Sequence, residues 1–198
     1  MRTVAVLYVD PRGPYPKMPG VDAWDERRDA RGYAGPHPVV AHPPCGPWGS
    51  LKAYCHQQDA TLAPHAIEQV RTWGGVLEHP ARSGLWRELR LPRPGELPDA
   101  FGGVTVEVFQ VDWGHVALKP TWLYLVGVSP AAIPRVPERE PTHWISGSRK
   151  KRAVPGAGGV APDHIKFCSN QQRRRTPTAF AEMLVGLARQ AHAKDRAA

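Results

Sequence analysis

Residues 39 to 80 leave this chain few ways to fold. The run Val39-Val40-Ala41 is apolar and rich in β-branched residues, and it is stopped by Pro43 and Pro44, which cannot continue a strand ladder. Ala63-Pro64 opens a helix with proline in its first turn, Ile67, Val70 and Trp73 recur at helical spacing, and Gly74-Gly75 ends it. Val76-Leu77 reads as a second short buried strand, followed by Glu78-His79-Pro80. Strand, helix and strand in this order predict a right-handed parallel crossover with the two strand ends side by side. Cys45 follows the first strand and Glu78 the second. Open α/β sheets bind ligands in the crevice beyond their carboxyl ends, so the thiol is a candidate nucleophile and the carboxylate its candidate companion. The bland alternatives are a small buried cysteine in a stiff turn and a solvated or capping acid.

The remaining segments extend this frame. Thr3 to Val9 is a first strand leading into Asp10-Pro11-Arg12-Gly13-Pro14-Tyr15-Pro16, a proline-rich extended loop with no phosphate-binding glycine motif. Asp22 to Arg31 reads as a charged helical turn facing water, and Ser83 to Leu89 as a short amphipathic helix. Val104 to Val111 is expected as an antiparallel or edge strand, joined by a long connection to the apolar strand Thr121 to Gly127. Thr176-Pro177 supplies an N-cap and first-turn proline for a closing helix that turns Phe180, Met183, Leu184 and Leu187 to the sheet. With 41% hydrophobic residues, the 22 prolines and 19 glycines indicate a turn-rich globular chain rather than disorder. The expected fold is one α/β domain over residues 1–198, with a Rossmann-like, mostly parallel sheet and flanking helices.

Charge is concentrated. Of the net +8, the segment from Arg149 to Arg175 carries eight basic residues (Arg149, Lys150, Lys151, Arg152, Lys166, Arg173, Arg174, Arg175) against Asp163 alone, a net of +7. Such a patch attracts a phosphate backbone, and residues 146–175 read as a basic, glycine-rich loop within the domain. A solvated basic loop is the plainer reading. No apolar run reaches the roughly 18 residues of a membrane span, and the N-terminus does not read as a signal peptide, so no membrane partner and a cytoplasmic location are expected. Three irregularly spaced cysteines suggest free thiols. His42, Cys45, Cys55 and His56 are zinc-ligand types without C-x-x-C spacing, so no metal centre is expected.

Pro43-Pro44-Cys45 after a strand, Glu78-His79-Pro80 after the next, and Trp113-Gly114 leading through Lys119 to Leu125-Val126-Gly127 together resemble the DNA cytosine-5 methyltransferases. The likeness spans roughly residues 36 to 128, and the Thr176-Pro177 helix resembles the one closing many phage-encoded relatives. It implies a reduced version of that catalytic domain acting on a pyrimidine base in DNA, with the base flipped out or unpaired. Cys45 would add to C6, and Glu78 would bind the Watson–Crick edge. Pro44, His79 and Lys119 would line the substrate site, and Arg173, Arg174 and Arg175 would hold phosphate. Lys119 stands where the family has arginine. S-adenosylmethionine is the implied cofactor, but Tyr8-Val9-Asp10-Pro11-Arg12-Gly13-Pro14 replaces the family's F-x-G-x-G, leaving Asp10 as the residue to meet it. Only 35 residues separate Val9 from Cys45, and no long target-recognition domain is present. The chemistry expected is therefore methyl transfer or another reaction at C5. A basic DNA-binding protein without catalysis and an enzyme for free pyrimidine nucleotides are the alternatives.

Overall fold

Three short apolar runs, Val4–Leu7 (β1), Val39–Ala41 (β3) and the start of Gly75–Pro80 (β4), are completely buried and show no alternation of apolar and polar residues, the pattern of strands covered on both faces. In the computed structural model, which describes residues 1–49, 59–145 and 166–192, they form the centre of a six-stranded sheet. With β2 (Val21–Trp24), β5 (Val104–Phe109) and β6 (Pro120–Val126) the order is β2-β1-β3-β4-β6-β5. The first four are parallel, and β6 runs antiparallel to both β4 and β5. This is a mixed, mostly parallel α/β sheet compatible with a Rossmann-like fold.

Helices cover both faces. Ala63, Ala66, Ile67 and Val70 of α1 (Leu62–Trp73) pack with Leu77, Trp86 and Tyr124 on one side. On the other, α4 (Thr178–Arg189) sets Phe180, Met183, Leu184 and Leu187 against Val40, Val76, Leu123 and Leu125. The short helix α2 (Gly84–Glu88) follows β4, and α3 (Asn170–Arg174) precedes α4. A two-stranded parallel pair, β7 (His143–Trp144) and β8 (Lys166–Phe167), stands apart from the main sheet.

The predicted β3–α1–β4 crossover and the β5–β6 pairing are present, with Val39 to Ala41 aligned on Gly75 to Leu77. Three local expectations change. Asp22 to Arg31 begins with edge strand β2 rather than a helical turn. There Asp22 accepts hydrogen bonds from Trp24 Nε1 (2.8 Å) and Arg28 Nη1 (2.6 Å), so its charged residues border an edge that faces water. The closing helix starts at Thr178 with Pro177 in the cap position and no side-chain cap, so Thr176 is not its N-cap. Of the basic segment, residues 146–165 lie outside the described residues, while Lys166 to Arg174 contribute β8 and α3 instead of loop.

Gly75 fixes the crossover. Its φ is +126°, and a Cβ there would stand 2.0 Å from the Val39 carbonyl oxygen in the neighbouring strand. Gly75→Ala is expected to destabilise the chain by about 3 kcal/mol in urea unfolding, because both strained backbone and a backbone clash are introduced.

Candidate active site

The strand order turns back between β1 and β3, since β2 lies to one side of β1 and β3 to the other. Ligand crevices of open α/β sheets form at such a switch point. Here a chain of hydrogen bonds crosses it. Tyr15, from the proline-rich loop after β1, meets His42 after β3, Tyr15 Oη to Nε2 at 2.6 Å, and His42 Nδ1 lies 2.9 Å from Glu78 Oε2. With Nδ1–H donating to the carboxylate, Nε2 meets the tyrosine hydroxyl in the other hydrogen bond. On the far side Gln110 Nε2 donates to Glu78 Oε1 (3.0 Å) and to Thr121 Oγ1 (2.9 Å). The carboxylate orients the Gln110 amide with its nitrogen inward, and the buried Gln110 Oε1 has no hydrogen-bond partner.

These contacts decide the state of Glu78. Burial alone would raise its pKa, but the hydrogen bond and charge of His42, with Lys119 and His79 behind them, hold it down at about 2. Glu78 is a fixed carboxylate that accepts protons in hydrogen bonds and does not supply one at neutral pH. Tyr15 is pushed the other way, by burial first and then by Glu78, and keeps its proton.

Cys45 lies at the start of the 3-10 turn Gly46–Trp48, exposed at the carboxyl edge of β3. Partial desolvation by its neighbours and then the Glu78 charge raise its thiol pKa above the ordinary range, while Lys119 and Arg173 act against this. The thiol is thus mostly protonated at neutral pH, and a ligand that offsets the Glu78 charge removes the second of the two causes. Lys119, held at a φ of +42° just before β6, has its own pKa lowered by burial and raised again by Glu78, Cys45 and Cys168.

Helix α3 is bound to the same edge. The Lys119 ammonium donates to the Arg175 carbonyl at 3.4 Å, and the buried His115 places Nε2 3.0 Å from the Gln172 carbonyl. Burial lowers the pKa of His115, so its neutral ring accepts at Nδ1 from the Ala117 amide (3.0 Å) and donates at Nε2. The hydrogen bond pins α3, and with it Arg173 within electrostatic reach of both Cys45 and Cys168.

Of the residues singled out in the sequence, Cys45, Glu78 and Lys119 come together, and Arg173 joins them; Arg174 and Arg175 follow in the same turn, both exposed. His79 does not join. Successive side chains alternate across a strand, so it points to the opposite face from Glu78, 1% exposed, with its ring 6.1 Å from Trp86. The Pro44 carbonyl lies near that ring, yet neither ring nitrogen makes a hydrogen bond of normal geometry, and burial lowers its pKa to about 4. Asp10 is exposed and clasped by Arg12 through Nε and Nη2, each at 3.1 Å, which lowers its pKa. Cys55 and His56 lie outside the described residues, among which no group of three or more His, Cys, Asp or Glu could hold a metal ion. Sequence reasoning weighed His42 only as a metal ligand and missed Tyr15, Gln110 and Thr121. Gln110 carried one usable signal, an amide at the end of a strand just before Asp112-Trp113-Gly114.

Fold and site together define an α/β protein with a thiol, a carboxylate held ionised and a lysine at one sheet edge. No family model, curated protein or solved structure matches the chain. No helix among the described residues is long and apolar enough to cross a membrane.

Proposed function

We propose that the chain is an enzyme acting on a pyrimidine base in DNA by adding the Cys45 thiolate to C6, on a reduced form of the cytosine-5 methyltransferase scaffold that its motifs resemble. The observation that carries this reading is the Cys45 thiol within electrostatic reach of Glu78, whose two oxygens are held by His42 and Gln110 at the same sheet edge. The new S–C6 bond moves the ring's electron pair to C5, which takes a proton or another electrophile. Loss of a proton, or of a substituent that leaves its bonding pair behind, from C5 then restores the double bond and expels the thiolate with the S–C6 pair. As a carboxylate, Glu78 accepts from the N4 amino group of cytosine or from N3–H of uracil, and it binds the adduct more tightly as that edge gains positive character. Lys119 stands where it can meet the base carbonyl or a phosphate.

S-adenosylmethionine does not fit the residues at the end of β1. Tyr15, 3% exposed, fills the crevice between β1 and β3 against His42, Asp10 is engaged by Arg12, and Pro11, Pro14 and Pro16 offer no amide hydrogens. The reaction favoured is therefore exchange or loss of a group at C5 without a methyl donor. Incubation with oligonucleotides tritiated at C5 of cytosine or uracil is expected to release tritium to water in a Cys45-dependent way. No release from either base, with or without S-adenosylmethionine, would count against the proposal. The raised Cys45 thiol favours a second reading, a DNA-binding protein without catalysis, in which Cys45→Ser leaves every DNA-dependent property unchanged.

A further inference from the structure

We propose that the groove behind α2 is a seat for the phosphodiester backbone of nucleic acid, separate from the basic segment near the C-terminus. Arg82, Arg87, Arg90 and Arg93 fall within twelve residues that contain Glu88 as the only acid. All four are exposed, and none of their guanidinium groups has an ion pair or hydrogen bond among the described residues. Arg82 and Arg90 have φ of +62° and +52°, an unfavourable backbone for a long side chain. Arg87, Arg90 and Arg93 rim an open groove of about 580 Å³ floored by Trp86, Leu91 and Pro92. The two acids that line it, Glu96 and Asp99, are outnumbered by the three arginines and leave the rim net positive. Asp99 is held by Arg71 (2.9 Å) and Tyr124 (2.6 Å), and Glu96 accepts the Arg93 backbone amide at 2.7 Å.

Position gives the groove its purpose. Ala81 N–H donates to the Pro120 carbonyl next to Lys119, and a Cβ on Gly84, at the start of α2, would lie 3.3 Å from the Trp48 carbonyl in the turn that begins at Cys45. A strand whose base reaches Cys45 would thus continue over α2, with arginines spaced along its phosphates and an apolar floor beneath its sugars. The choice of nucleic acid over another polyanion rests on the reading of the Cys45 site as one for a base in DNA.

Binding of a fluorescein-labelled duplex of about 20 base pairs should be measured by anisotropy against salt, for the whole chain and for two variants of Arg87, Arg90 and Arg93. Changing all three to Gln is expected to weaken binding at least about tenfold at 0.1 M salt and to flatten the log–log salt slope by about 2 to 3, near 0.9 per phosphate contact. Changing all three to Lys is expected to keep the slope, which a merely structural role for these arginines would not do. An unchanged slope in the Gln variant, no salt-dependent DNA affinity in the wild type, or equal competition by polyglutamate or anionic phosphatidylglycerol vesicles would overturn the groove. Salt-dependent duplex binding that the Gln variant loses, without any tritium release at Cys45, leaves the groove standing and removes the thiolate reading. Tritium release from a free nucleotide without salt-dependent DNA binding does the reverse.

Discussion

Glu78→Gln is expected to move two properties of Cys45 in opposite directions. The Glu78 charge is the second cause, after burial, of the raised thiol pKa, so its removal is expected to speed iodoacetamide alkylation of Cys45 about threefold at pH 7. Covalent capture of a pyrimidine at Cys45 is expected to fall about 100-fold, because the amide cannot stabilise the positive character that the base edge gains. Damage to the fold would not produce this pattern, since an opened site alkylates faster at Cys168 as well as at Cys45. Peptide mapping of the alkylated thiols therefore separates the cases. Capture that survives the substitution with alkylation unchanged would remove Glu78 from the site.

Acid is expected to unfold the chain in two overlapping steps with the same sign. The folded state holds His79 at about 4 against an ordinary value of 6.5, so it resists the proton that the unfolded chain accepts, and stability falls as pH drops from about 6.5 towards 4. Glu78 is held at about 2 against 4.5, so its contribution is complete above about 4.5 and is lost as pH falls through to 2. Each gap of about 2.5 pH units corresponds to about 3 kcal/mol. Urea midpoints at pH 8, 5 and 3 are expected to fall successively. His79→Leu is expected to reduce the loss between pH 8 and 5, of which His115, also held low by burial, keeps a share, while keeping stability at pH 8, because an apolar side chain there leaves no buried ring nitrogen without a hydrogen bond. Equal acid sensitivity in that variant would place the upper step elsewhere.

The central crossover could be read from the chain because its signals are local. Prolines after Ala41, a first-turn proline, helical spacing of Ile67 and Val70, and paired glycines each restrict the backbone directly. The edge strand β2 could not be read this way, since its charges are those of a solvated helix turn and only pairing with β1 makes Val21–Trp24 a strand. The site divides similarly. Cys45 and Glu78 sit at strand ends that one crossover brings together, so chain order sufficed. Tyr15 reaches His42 from the loop after β1 and Gln110 reaches Glu78 from the turn after β5, and these contacts depend on the sheet order, which no spacing between residues 15, 42, 78 and 110 encodes. His79 misled because adjacency in sequence suggests a shared site, whereas adjacent strand residues face opposite sides.

The charge reading narrows in a comparable way. The sequence places nearly all the excess charge between Arg149 and Arg175, yet α3 brings only part of that segment to Cys45. The exposed arginines after β4 are diluted by Glu88, Glu96 and Asp99 in any count along the chain. Only when Asp99 is seen bound to Arg71 and Tyr124 does that stretch become a positive surface.

The thiolate account is tested most directly by intact-mass measurement of the protein after incubation with DNA containing 5-fluoro-2′-deoxycytidine or 5-fluoro-2′-deoxyuridine. Fluorine makes C6 more electrophilic and cannot leave C5 as a cation, so the adduct breaks down only by losing the proton that C5 took up; with the protein denatured in acid straight after incubation, one oligonucleotide mass is expected on it, mapped to Cys45 and absent from Cys45→Ser. Unmodified protein with both bases, at pH values where Cys45 is alkylated by iodoacetamide, would contradict it.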